Sequence, residues 1–308
     1  MSPWRFKGAW LITMQLLRSL IFVPGNRPLM MEKARWLPAD ALVLDLEDSV
    51  PAAEKASAAL EVHEALPTAS GRRQKVYVRV NGLATGRTEE ELETVVGPAL
   101  DGICFPKATS AQEVHIVDAL LSTLEAKRGM ADGHVKMIPW LETARGIVNA
   151  FEVASASPRI VAVSYGAEDF TLDMGIPRSL EGAESLVPRA LVAIAARASG
   201  VLALDSPYPD FKDEAGLVKD AKVVRNLGYA GKFAVHPAQI APLHQVFSPS
   251  AEEVARARAI LEAYDEALAR GSASTSLSGM LIDVPIAERA RKLLAWANAI
   301  AERESNAR

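Results

Sequence analysis

Glu142 and Asp169 each stand at the end of a short apolar run, in VKMIPWLETARG (135–146) and IVAVSYGAEDF (160–170), with helix-like sequence following each. If those runs are parallel strands of one sheet, both carboxylates emerge at the edge where α/β enzymes carry their chemistry. Two hard oxygen donors meeting there would hold a divalent metal ion. The competing reading makes them helix N-terminal acids favoured by the macrodipole. The Gly-bearing turns flanking the acids and an inward Arg favour the metal.

That Arg is Arg79 in KVYVRV, where alternation points it to the same side as Tyr77 and Asn81. A guanidinium inside a sheet enclosure is costly without an anion, permanent or brought by a substrate. Asp45, Glu47 and Asp48 are the permanent candidates, and with them Arg79 could equally belong to a structural network. Polar residues recur after the other apolar runs: Pro24-Gly25-Asn26-Arg27, Asn81, Lys107, Arg145, Glu168, Asp205 and His236. In a closed barrel all of them ring one mouth. His236 precedes a proline and reads as a structural rim histidine. With no second suitably spaced His or Cys, zinc has little support.

The elements that must position these residues are eight apolar runs, at 17–23, 41–46, 75–80, 102–106, 135–141, 160–165, 201–205 and 232–236. Segments with helical periodicity separate them. Runs without polar alternation are what parallel strands covered on both faces look like. Strict βα order and the absence of GxGxxG or GxxxxGK[ST] favour a (β/α)8 TIM barrel over an open doubly wound sheet. The expected barrel spans 14–248. Residues 249–308 add two long helices around a Ser/Thr/Gly-rich stretch, 271–279, whose composition reads as a flexible lid hinge.

At 308 residues, 49% hydrophobic and 23% charged, the chain can bury a full core. A net charge of −4 offers no cationic field for nucleic acid. The single cysteine, Cys104, lies in the apolar GICFPK and reads as a buried thiol; one cysteine excludes an intrachain disulfide framework. The first sixteen residues lack a signal-peptide pattern and no apolar run reaches the roughly 20 residues of a membrane span, so a cytoplasmic protein is expected. Residues 1–13 are assigned no function.

The pieces RSLIFVPGNRP, ADALVLDLEDSV, VYVRVNG, DGICFPK, PWLETARGIVNA, GAEDF, GKFAVHPAQI, FSPS and GMLIDVP, in this order from about Leu17 to about Ala299, resemble the citrate lyase β-subunit-like branch of the HpcH/HpaI aldolase superfamily. The resemblance implies Mg2+, with Mn2+ as a substitute, held by Glu142 and Asp169, and a catalytic Arg79 with Glu47 as a further acid. It implies proton transfer by Asp283 of GMLIDVP, in a C-terminal segment completing a neighbouring subunit's site, and hence a homo-oligomer, a trimer or hexamer. The competing role for Asp283 is a helix N-cap before Val284-Pro285. Pro24, Gly25, Arg27, Lys33 and Lys55 are expected along the coenzyme A arm, with Gly166, Ala167 and Glu168 at the substrate; Lys33 and Lys55 also fit solvated helix cations.

The implied reaction cleaves a 3-hydroxyacyl-CoA, citramalyl-CoA or malyl-CoA, to acetyl-CoA and pyruvate or glyoxylate. DSPYPDF (205–211) does not choose between them. The alternatives are a citrate lyase β subunit acting on citryl-acyl carrier protein, a malate-synthase-like condensation coupled to a thioesterase, and a non-catalytic barrel.

Overall fold

A computed structural model describes residues 15–69, 74–179 and 181–305; the segment 1–13, to which no function is assigned, lies outside the described residues. Eight parallel strands close into a barrel in chain order. They are β1 (Ser19–Pro24), β2 (Ala41–Asp45), β3 (Lys75–Arg79), β4 (Gly102–Phe105), β5 (Lys136–Leu141), β6 (Ala162–Tyr165), β7 (Leu202–Asp205) and β8 (Gly231–Ala234). The helices outside them are α1 (Pro28–Ala34), α2 (Lys55–Ala69), α3 (Thr88–Val95), α4 (Ala111–Lys127), α5 (Ala144–Val148), α6 (Ala150–Ser155), α7 (Ala167–Met174), α8 (Ala183–Ser199), α9 (Glu214–Leu227) and α10 (Ile240–Phe247). This is the TIM barrel expected from the eight runs. The barrel closes where Leu20 of β1 pairs with Phe233 of β8.

Both faces of each strand are apolar, for different reasons. Leu20, Val43, Tyr77, Cys104, Ile138, Ala162, Leu204 and Phe233 fill the barrel interior, while Leu42, Leu44, Val76, Val78, Ile103 and Val163 are buried on the opposite parity. Each large side chain so buried contributes roughly 1.5–3 kcal/mol. Cys104 is a core residue as expected, and burial pushes its thiol up to about 12, which keeps it inert.

One expected mouth residue belongs elsewhere. Leu204 points inward, so Asp205 takes the other parity, where it accepts hydrogen bonds of 3.0 Å from Arg189 Nε and Nη2 of α8. Lys232 of β8 also bonds Asp205 and lies 2.7 Å from Asp220 of α9. All four charges compensate one another between strands and helices, so Asp205 is a structural ion and not part of the rim.

The chain divides into two compact units, residues 17–243 and residues 244–305 with Gln15 and Leu16. The second contains α11 (Ala251–Ala269), β9 (Thr275–Leu277), β10 (Met280–Ile282) and α12 (Val284–Ser305). Ser250 and Glu253 form a capping box that starts α11. The stretch read as a flexible hinge contains an ordered hairpin: Leu277 pairs with Met280 and Thr275 with Ile282. Ser278 and Gly279 both have positive φ, 51° and 80°, which suits a two-residue type I′ turn. Ile282 and Leu277 pack with Tyr264 and Ala287, anchoring the hairpin to its flanking helices. The expected looseness is therefore corrected to Gly271–Ser274 at most. Among the described residues no helix is long and apolar enough to cross a membrane.

Candidate active site

The inward parity that fills the barrel continues past the strand ends and becomes polar. Val43 leads to Asp45, Tyr77 to Arg79, Trp140 to Glu142, and Leu204 to Ser206. Asp45, Arg79, Trp140, Glu142 and Ser206 line one cavity of about 370 Å3 at the carboxyl ends of the strands, with Phe22, Gly166, Glu168, Asp169 and Arg178. The floor is aromatic, with the rings of Phe22, Trp140 and Phe233 within 4.6–5.7 Å of each other.

Three acids converge on Lys107, in the loop after β4. Its ammonium lies 3.1 Å from Asp169 Oδ1 and 3.6 Å from Glu47 Oε1, and its backbone N–H donates to Glu142 Oε1 at 2.8 Å. Lys107 holds a φ of 56°, a left-handed backbone that non-glycine residues rarely adopt. Glu142 is 3% exposed. Burial, then the charges of Asp169 and Glu47, push its carboxyl up to about 8. Burial likewise pushes Glu47 up to about 7, against the pull of Arg79. For Lys107, burial disfavours the ammonium, but Glu142, Glu47 and Asp169 outweigh it and hold its pKa above the usual lysine range.

Glu142 does not cap a helix, because Thr143 performs that task for α5, its Oγ1 accepting from Gly146 N at 3.0 Å. Its side chain lies against Gly166, where an added β-carbon would stand 2.6 Å from Glu142 Cβ and closer still to Oε2. Asp169 sits in the first turn of α7, where the macrodipole also favours it. Among the described residues no three His, Cys, Asp or Glu side chains form a ready metal cage. Magnesium commonly takes one or two carboxylates and completes its octahedron with water and substrate, so a two-acid oxygen donor set fits it. Neighbouring carboxylates, two of which pair with the Lys107 ammonium, with a glycine leaving room for Glu142, are consistent with a hard cation there.

Arg79 is bound by two hydrogen bonds to Asp45, 2.6 Å from Nε to Oδ1 and 2.8 Å from Nη2 to Oδ2. Its Nη1 lies 2.8 Å from Glu47 Oε2 and 3.4 Å from Asp48 Oδ2. The guanidinium also sits 4.4 Å from the Phe22 ring centroid. Burial alone would raise Asp45, but these bonds hold it below the usual carboxylate range. The permanent anion needed by Arg79 is thus supplied within the chain, and the same side chain still lines the cavity.

The remaining expected residues are placed less centrally. Gly166, Ala167 and Glu168 line the cavity. Gly25 donates its N–H to Asp45 O at 2.8 Å, holding the Pro24-Gly25 turn against β2, while Arg27 and Lys33 are exposed on and beside α1. Lys55 donates to the carbonyls of Leu46 and Glu47, both at 2.8 Å, so its charge fixes the β2 loop that carries Glu47. Two of its three ammonium donors are thereby committed within the chain. Asp283 accepts from Ile286 N at 3.3 Å as an N-cap of α12 within the second unit. His236 caps Pro237–Gln239 through Nδ1 and stacks on Phe211, the structural role read for it. Lys107, expected at the mouth from its place directly after an apolar run, lies at the centre of these acids; the residues that sequence reasoning missed as site members are Trp140, Phe22, Arg178 and Ser206, none of which carried a signal.

Residues 18–237 match the HpcH/HpaI aldolase/citrate lyase family. The chain is 36% identical to a citrate lyase subunit beta of Leuconostoc mesenteroides subsp. cremoris, covering 92% of this chain and 94% of that one. It is also 36% identical to an L-malyl-CoA/beta-methylmalyl-CoA lyase of Cereibacter sphaeroides, covering 92% and 95%. A crystal structure of the CitE protein of Mycobacterium tuberculosis in complex with magnesium, acetoacetate and coenzyme A is similar, with a TM-score of 0.73, 32% identity, and coverage of 91% and 97%. The chain therefore belongs to the HpcH/HpaI aldolase/citrate lyase family and is a carbon–carbon lyase.

Proposed function

We propose that this chain is a Mg2+-dependent lyase that cleaves a 3-hydroxyacyl thioester bearing a carboxylate on its carbinol carbon, giving an acetyl thioester and a 2-oxo acid. Citramalyl-CoA, malyl-CoA and a citryl thioester all carry this hydroxy-acid end, and the additional cation Arg178 in the cavity favours the citryl thioester, whose substituent is a second carboxylate. The observation that carries the reading is that Glu47, Glu142 and Asp169 all contact Lys107 at the mouth, Glu47 and Asp169 through its ammonium and Glu142 through its backbone N–H. Glu142 and Asp169 would hold the ion, which when bound supplies a Lewis acid for the substrate's hydroxyl and carboxylate oxygens.

The chain's own residues provide the rest. Breaking the bond between the carbinol carbon and the thioester α-carbon requires loss of the hydroxyl proton, while the bonding electrons pass into a thioester enolate. Glu47, with its carboxyl at about 7, is matched to accept that proton near neutral pH. Arg79, locked by Asp45, presents a fixed positive charge to a developing oxyanion without reorganising. Lys107 adds a second cation beside the acids. The Phe22, Trp140 and Phe233 rings keep the cavity floor dry, which strengthens these charges. Protonation of the enolate to the acetyl thioester falls to Asp283, reached in a homo-oligomer, a trimer or hexamer, in which a neighbouring subunit's second unit covers the mouth. Arg27 and Lys33 are the cations proposed for coenzyme A phosphates.

The test is to incubate purified protein with citramalyl-CoA, malyl-CoA and a citryl thioester, with magnesium or with a chelator, and to identify the 2-oxo acid. Magnesium-dependent release of pyruvate, glyoxylate or oxaloacetate supports the reading; no cleavage of any of them overturns it.

A further inference from the structure

Two groups on the β6–β7 side of the cavity have no part in the chemistry above. Ser206 is 3% exposed, lines the cavity, and its Oγ has no hydrogen-bond partner among the described residues. A buried hydroxyl left unpaired is uncommon and carries a desolvation cost. Arg178 lines the same cavity. Its Nη1 pairs with Glu168, whose side chain is 70% exposed, and its Nη2 donates at 3.4 Å to the carbonyl of Pro207, the residue next to Ser206. Unlike Arg79, which pairs with three acids, Arg178 hydrogen-bonds one solvated acid and a carbonyl, with Glu184 the other acid within reach of its charge, and most of its five N–H donors are uncommitted.

We infer that Arg178 and Ser206 form a carboxylate subsite that reads the substituent on the substrate's carbinol carbon, making them specificity-determining residues. The inference rests on the lyase reading above. Once Glu142 and Asp169 fix the hydroxy-acid end of the substrate, the remaining substituent is hydrogen in a malyl, methyl in a citramalyl and carboxymethyl in a citryl thioester. Hydrogen or methyl leaves Ser206 Oγ unpaired and Arg178 unused. A carboxylate accepts from both, and the planar guanidinium suits its two oxygens. A site built around such donors discriminates strongly against a ligand that lacks the acceptor. The subsite therefore selects thioesters whose 2-oxo acid product is a dicarboxylate.

Direct binding tests this apart from turnover. The full-length chain in magnesium would be titrated calorimetrically with freshly prepared oxaloacetate and with pyruvate, alongside Arg178→Met, Arg178→Lys and Ser206→Ala. The expected results are oxaloacetate bound at least about tenfold more tightly than pyruvate by the parent chain, and oxaloacetate weakened about 10–100-fold by Arg178→Met and about 3–10-fold by Ser206→Ala. Pyruvate affinity stays within about twofold throughout, and Arg178→Lys recovers part of the loss. If the parent chain binds both acids alike, or Arg178→Met weakens both equally, the subsite is overturned while the lyase reading stands. If neither acid binds in magnesium, the lyase reading falls and the subsite with it.

Discussion

The side chain of Glu142 rests on the bare α-carbon of Gly166, one strand over in the barrel, where a β-carbon would come within 2.6 Å of Glu142 Cβ. The glycine is needed for space: it admits a carboxylate to the mouth between β5 and β6. Gly166→Ala should therefore push Glu142 out of line. Overpacking of this kind costs about 1–3 kcal/mol of stability, and a displaced ligand should weaken magnesium about 10–100-fold. Calorimetric titration of the folded variant with magnesium checks this; unchanged affinity would mean that Glu142 does not hold the ion.

Stability should depend on pH in a direction set by the same acids. Glu142 keeps its proton to about 8 and Glu47 to about 7 in the folded chain, against an ordinary value of 4.5. Between those values the folded state binds more protons than the unfolded one, so these groups lower stability as pH rises from about 4.5 to about 8. Chelator-treated protein should accordingly lose melting temperature over that interval, and Glu142→Gln should flatten the loss. Magnesium, which binds only the ionised acids, should stabilise most at the alkaline end.

Asp283 has two separable roles. Asn caps a helix as well as Asp does, whereas Ala costs about 1 kcal/mol at an N-cap. Asp283→Asn should leave the melting temperature unchanged and lower kcat by about 100-fold or more if the acid transfers a proton, with a much smaller change in KM. Unchanged kcat in Asp283→Asn would leave Asp283 as the cap of α12 alone.

Much of this architecture was legible in the chain. The eight apolar runs became β1–β8 with ends shifted by no more than a few residues, and Glu142, Asp169 and Arg79 came together as their strand-end positions required. What was hidden has a common physical origin. Strands buried on both faces show no alternation, so nothing in VLALD said that Leu204 points in and Asp205 out. The left-handed turn at Lys107 uses no glycine and leaves no mark in the sequence. Lys55 reads as a helix-surface cation because its two carbonyl partners follow β2, eight and nine residues earlier. The stretch 271–279 reads as loose by composition, yet its Ser-Gly pair is the turn of a hairpin between two three-residue strands.

The lyase reading rests on one metal position shared by Glu142 and Asp169. Calorimetric titration of magnesium into the full-length chain, Glu142→Gln and Asp169→Asn should find one ion per chain in the parent protein and affinity weakened about 100-fold or more in each variant, with melting temperatures unchanged or raised. Parent-like magnesium affinity in either folded variant would rule out the shared position.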